Sequence, residues 1–253
     1  MATGIIRNGK FIHDLHQDEE YAFESISKVT EDETFFLTES PLEKSFFDLL
    51  NTSNDWRNNS KNTNNPPDYI NSTYGWMLDL MIVNDYEKTT DSGKSVNEPA
   101  KEGSRIAKGI NKNDFKKKFP NLENIMFEYE DKMTPSYKQY YRNTCRVLDH
   151  HTEKISNYKS NHPDCNKIAF AICDISEHEH LLARSNSVKG VIAVHPCFDK
   201  QFLRKIKKCG ADIVLWFSPY ISSPNGNTVK LMIIDIHRLV PEKHGLLVLS
   251  LQK

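Results

Sequence analysis

Asp68 and Asp79 are the carboxylates whose setting points to chemistry. They lie in Pro66-Pro67-Asp68-Tyr69-Ile70-Asn71-Ser72-Thr73-Tyr74-Gly75-Trp76-Met77-Leu78-Asp79-Leu80-Met81-Ile82-Val83, which reads as a β-hairpin. Tyr69-Ile70 and the run from Trp76 to Val83 are rich in aromatic and β-branched residues. Pro66-Pro67 bars a helix from entering, and Ser72 to Gly75 supply turn chemistry. With a two-residue loop at Thr73-Tyr74, opposed positions sum to 147 and Asp68 faces Asp79. With the loop at Tyr74-Gly75, Asp68 faces Met81 instead. Like charges opposed across a ladder repel. In the first register the pair requires a compensating partner, and a divalent cation held by carboxylate oxygens is the most direct one.

The elements that must position this hairpin follow from local signals. Ser40-Pro41-Leu42-Glu43 is a helix start, with Ser40 as N-cap, Pro41 at the first helical position and Glu43 three residues after the cap. Leu42, Phe46, Leu49 and Leu50 give that helix a buried face. Seven asparagines between Asn51 and Asn65 mark a polar loop leading into the hairpin. Tyr137, Tyr141, Thr144, Leu148, His151, Ile155 and Tyr158 alternate spacings of four and three, which predicts one long amphipathic helix. His151 lies on its buried stripe, where a hydrogen-bonded core histidine is expected. Asn161-His162-Pro163 ends the helix, and Lys167 to Asp174 reads as a buried strand. Gly190 to His195, Asp212 to Phe217, Val229 to Ile236 and Leu246 to Leu251 read as further strands, with a helix from Phe198 to Cys209. Continuous apolar strands alternating with helices predict an α/β fold, a mixed β-sheet flanked by helices on both faces.

The order of a helix bearing Glu43, Pro67-Asp68, Asp79 on a strand, a long helix and a buried strand resembles the PD-(D/E)XK nuclease superfamily. Its shared core is a helix, a β-meander, a second helix and a further strand. The resemblance implies a restriction-endonuclease-like core over about residues 40–175, interrupted by a polar insertion at 84–134. Residues 1–38 would form an acidic N-terminal segment and 190–253 a C-terminal α/β extension with added strands, all within one domain, 1–253. It implies Mg²⁺ or Mn²⁺ held by Asp68, Asp79 and the backbone carbonyl of Leu80, with Glu43 as auxiliary acid. The expected activity is hydrolysis of nucleic acid, with DNA as the expected partner and foreign DNA as a candidate target. Hard oxygen ligands, an activated water and positive charge on the phosphorane are what phosphodiester hydrolysis demands. The motif departs from the family at Asp79-Leu80-Met81, where Met81 replaces a lysine and offers no proton or hydrogen bond. Either another lysine reaches in, Lys88 or one of the 101–118 run, or the metal site works without it, or hydrolysis is lost and the fold persists as an inactive nucleic-acid or protein binding module.

Net charge is −1, so overall charge names no partner, but the distribution is uneven. Residues 1–43 hold ten acids against three Lys or Arg, and 101–118 hold seven Lys or Arg against two acids. Lys101, Arg105, Lys108, Lys112 and Lys116 would share one helical face and form a phosphate track, although Gly103 and Gly109 weaken the helix and such a run is also an ordinary solvated surface. A rival site has His162-Pro163-Asp164 before the strand ending at Asp174 and Glu177, His178, Glu179 and His180 after it, a mix suited to a transition metal. Those four sit too close in sequence for one strand or helix to aim them at one ion, and a polar strand-end loop is expected. His195-Pro196-Cys197 is a weak nucleophile signal, since adjacent side chains point apart. Five cysteines without CxxC spacing indicate neither a disulfide framework nor a zinc ribbon. With no apolar run of membrane-spanning length, a cytoplasmic protein without a membrane partner is expected.

Overall fold

The computed structural model describes the backbone of residues 2–7, 10–12, 19–59, 67–83, 87–89, 95–97, 125–129, 137–176, 181–184, 191–194, 198–219 and 229–245, and side chains within 19–59, 67–83, 140–176, 198–219 and 229–245. Among these residues the molecule is α/β, built on a mixed seven-stranded sheet with helices against both faces.

The strands in chain order are β1 (Ala2–Arg7), β2 (Lys10–Ile12), β3 (Thr34–Phe36), β4 (Arg57–Asn58), β5 (Tyr69–Asn71), β6 (Trp76–Val83), β7 (Glu87–Thr89), β8 (Ser95–Asn97), β9 (Ile125–Tyr129), β10 (Lys167–Asp174), β11 (Leu181–Arg184), β12 (Val191–Val194), β13 (Ile213–Phe217) and β14 (Leu231–Asp235). The α-helices are α1 (Glu19–Ile26), α2 (Pro41–Thr52), α3 (Tyr137–Thr152), α4 (Ile155–Asn161), α5 (Lys200–Ile206) and α6 (Pro241–His244). The large sheet runs β3-β14-β13-β10-β6-β5-β4, with β6, β10 and β13 mutually parallel, β5 antiparallel to β4 and β6, and β14 antiparallel to β13 but parallel to β3. Strands β2-β1-β9, β7-β8 and β11-β12 form three small separate sheets.

Period-two alternation sorts the central strands onto two faces. Met77, Met81, Ile168, Phe170, Ile172, Val214 and Trp216 pack with Tyr140, Leu148, Tyr158, Phe202 and Ile206 of α3, α4 and α5. Leu78, Leu80, Ala169, Ala171, Ile213 and Leu215 pack on the other face with Ala22, Ile26, Phe46, Phe47 and Leu50 of α1 and α2. Both faces are covered, which is why β10 and β13 read as unbroken apolar runs.

The expected long helix is two helices. Lys154 N–H bonds to His151 O, a tightened i→i−3 turn, before α4 begins. Within the expected C-terminal extension, β13 and β14 stand inside the same sheet beyond β10. Leu246 to Leu251 lie outside the described residues, and no described helix is long and apolar enough to cross a membrane.

Candidate functional site

The hairpin adopts the register in which positions sum to 147: Tyr69 pairs with Leu78, Ile70 with Met77 and Asn71 with Trp76. Its tip, Ser72 to Gly75, closes through Tyr74 N–H donating to Asn71 Oδ1 at 3.2 Å, and Gly75 takes φ +69°, the left-handed region that favours glycine. Extending the register one step places Asp68 opposite Asp79, on the face that packs against α3 and α4. The arrangement with Asp68 facing Met81 is not adopted.

Asp68 is half-buried and Asp79 is 1% exposed. Leu80 N–H donates to Asp68 Oδ2 at 2.7 Å, so the Asp68 side chain takes the ladder bond that the next strand residue would have made. Desolvation first, then the charges of Asp79 and Glu19, push the Asp68 carboxyl up to about 8. A hydrogen bond between the two carboxyl groups acts in the same direction. Across from Leu80 in this register stands Pro67, which has no N–H. Leu80 N–H points to that side, and its carbonyl with it, so the carbonyl gains no ladder donor from Pro67.

Asp79 Oδ2 is the acceptor for two side chains from the helices above. Tyr158 O–H donates to it at 2.8 Å, and His151 Nδ1 contacts the same oxygen. Burial raises the Tyr158 phenol far above its ordinary range, ahead of the effect of Asp79, so it remains a donor. The His151 ring also lies edge-on to Phe170, 6.4 Å between centroids, and Phe170 is the β10 residue paired with Asp79. His151 is thus the hydrogen-bonded core histidine expected from the buried stripe, but its partner is the candidate site itself. Sequence reasoning missed Tyr158 and Glu19 as neighbours of this pair. The available signal was two polar side chains seven residues apart on the buried stripe; nothing in the sequence links Glu19 to Asp68.

Glu43 does not join them. It sits on α2, against the opposite face of the sheet, and its carboxylate is saturated. Thr38 N–H and Thr38 O–H donate to Oε1 at 3.0 and 2.8 Å, Asp235 N–H to Oε1 at 2.9 Å, and Ser40 N–H to Oε2 at 3.1 Å. Its carboxylate reaches β14, three strands or ~14 Å from β6. Geometrically it is a helix cap and an anchor for β14, which corrects its expected place beside the aspartates.

The rival cluster is divided by the fold. His162 and Asp164 precede β10 and Asp174 ends it, ~25 Å along the strand. Asp174 is directed into the core, where Tyr140 O–H at 2.5 Å, Ser176 O–H at 2.6 Å, Ser176 N–H at 3.1 Å and Trp216 Nε1–H at 3.3 Å all donate to it. Burial raises its carboxyl despite these donors. Glu177, His178, Glu179, His180, His195 and Cys197 lie outside the described residues, as do Lys101, Arg105, Lys108, Lys112 and Lys116. Met81 is buried at 1% exposure in the core on the Asp79 side. A cleft of about 620 Å³ opens against the other face, lined by Asp48, Tyr74, Trp76 and Lys167 among others.

Among the described residues no group of three or more His, Cys, Asp or Glu side chains is placed to hold a metal ion. Asp68 and Asp79 bring two carboxylates together. That set suits Mg²⁺, which is commonly held by one or two carboxylates while keeping several waters. The chain matches no protein-family model, no curated protein and no solved structure.

Proposed function

We propose that this protein is a metal-dependent nucleic-acid phosphodiesterase of the PD-(D/E)XK type. The observation that carries the proposal is the apposition of Asp68 and Asp79, two carboxylates opposed across the hairpin, with burial and the charge of Asp79 raising the Asp68 carboxyl. The path of the chain supports it. α2, the meander β4-β5-β6, α3 and then β10 laid parallel against β6 follow the helix, meander, helix, strand order of that superfamily.

In this reading Asp68, Asp79 and the Leu80 carbonyl hold Mg²⁺ or Mn²⁺. The ion, when bound, polarises a phosphodiester oxygen and acidifies a water. The chain's own part is to fix the two carboxylates. Leu80 N–H orients Asp68, and the β5-β6 pairing sets its distance from Asp79. Basic residues of the 101–118 run would neutralise backbone phosphates. DNA is the favoured substrate.

A second reading, an inactive binding module on the same fold, is favoured by one observation. Met81 fills the lysine position as a core residue, and the neighbouring charges that act on Asp68 are both acidic. Cleavage of supercoiled, linear and single-stranded DNA and of RNA, with Mg²⁺, Mn²⁺ or EDTA, separates the two. Metal-dependent cutting by the wild type that disappears in Asp79→Asn supports the enzyme. Equal nucleic-acid binding by both proteins with no cutting by either supports the module.

A further inference from the structure

Asp79 is gripped by two donors that the proposed reaction has not used. Tyr158 O–H at 2.8 Å and His151 Nδ1 meet on the same oxygen, Oδ2. Tyr158 is fully buried, and the His151 side chain is 16% exposed. Apolar packing accounts for the Tyr158 ring, since it belongs to the core on that face. It does not account for the hydroxyl, which would be costly at this depth without an acceptor. With a carboxylate oxygen as its partner, His151 Nδ1 is the protonated ring nitrogen. The two side chains come from different helices, the end of α3 and the body of α4. The break at Glu153-Lys154 separates two segments that in one straight helix would place residues 151 and 158 ~10.5 Å apart along the axis.

We propose that His151 and Tyr158 are positioning residues of the metal site: together they pin Asp79 through Oδ2, so that Oδ1 is presented toward Asp68 as the ligand oxygen. The inference rests on Asp68 and Asp79 being the metal ligands. It differs from a purely structural role for the two bonds, which would influence folding and leave ion affinity alone. Outer-sphere partners of ligating carboxylates act on affinity, typically by 10- to 100-fold. The pair also gives the site donors from α3 and α4, in a site where Met81 supplies none.

The test is Mn²⁺ binding to the full chain at fixed pH, followed by electron paramagnetic resonance of the free ion and by calorimetry. Circular dichroism melts accompany each variant. Tyr158→Phe deletes only the hydroxyl, His151→Ala deletes the imidazole, and His151→Gln keeps an N–H donor. We expect Tyr158→Phe and His151→Ala each to weaken Mn²⁺ binding about 10- to 100-fold, with His151→Gln recovering part of the loss and Asp79→Asn binding nothing. If the wild type binds, Asp79→Asn does not, and folded Tyr158→Phe and His151→Gln stay within about twofold of the wild type, the positioning role is overturned while the metal site stands. If the folded wild type binds no Mn²⁺ at millimolar concentration, the metal reading fails and this inference falls with it.

Discussion

Asp68 holds its proton in the folded chain far above the ordinary carboxylate range, because it loses water and faces Asp79 and Glu19. Its pKa is about 8 when folded and 3.8 when unfolded, so the folded state binds the extra proton between those values. Stability therefore falls as pH rises from about 4 to about 8, by up to a few kcal/mol at ~1.4 kcal/mol per unit. Urea denaturation at pH 5.5, 7 and 8.5 should show that slope in the wild type and a flatter one in Asp68→Asn, which keeps the shape without the charge. If Asp68 and Asp79 bind a divalent cation as proposed, the cation has to displace the same proton. Mn²⁺ affinity is accordingly expected to rise by up to about tenfold per pH unit below 8, a trend that calorimetry at the same three pH values would detect. The carboxylates themselves were legible in the sequence, from Pro67-Asp68 and from an aspartate inside an apolar run. Their protonation was not, since it depends on burial and on Glu19, which approaches from a different element.

At the scale of elements, local rules carried far where the cause was local. Ser40 and Glu43 form the reciprocal capping box that their spacing predicts, with Glu43 N–H donating to Ser40 Oγ at 3.1 Å and Ser40 N–H to Glu43 Oε2 at 3.1 Å. The same carboxylate also binds Asp235 N–H, a residue 192 positions away, which no spacing rule could indicate. Glu43→Ala should therefore destabilise the protein by about 2–4 kcal/mol, several buried donors losing their acceptor. Thermal melts would record that loss, and Mn²⁺ affinity in the folded variant should stay close to wild type. A large drop in affinity without loss of stability would return Glu43 to the metal site. Gly75→Ala should cost about 1–2 kcal/mol for the left-handed backbone, because the added Cβ itself meets Asn166 Oδ1 and Asp164 O at an ordinary 3.5 Å. The helix pair α3–α4 shows where periodicity fails: the apolar stripe continues through residues 151–158, and the break within it carries no glycine or proline signal.

For the whole molecule, the decisive fact is which side chains share a face of the sheet. Asp68, Asp79, His151 and Tyr158 meet on one face, and Glu43 is held on the other. If the molecule is a nuclease, nucleic-acid binding should weaken as salt rises, with a log–log slope that falls by roughly one for each phosphate-contacting charge removed. Neutralising Lys101, Arg105, Lys108, Lys112 and Lys116 in turn, with binding measured by fluorescence anisotropy from 50 to 200 mM salt as a working range, would identify the residues involved. A slope unchanged by all five would remove the phosphate track from the proposal. Sequence alone determined the class of fold, the start of α2, the limits of β10 and the two registers open to the hairpin, because capping, apolar runs and turn chemistry act between near neighbours. It left the choice of register, the insertion of β13 and β14 into the same sheet, the two-helix form of 137–161 and the company kept by Asp79 to the tertiary structure. Those outcomes depend on burial and on contacts between residues separated by as many as 192 positions. Such contacts acquire their energy only when the faces of the sheet have been covered.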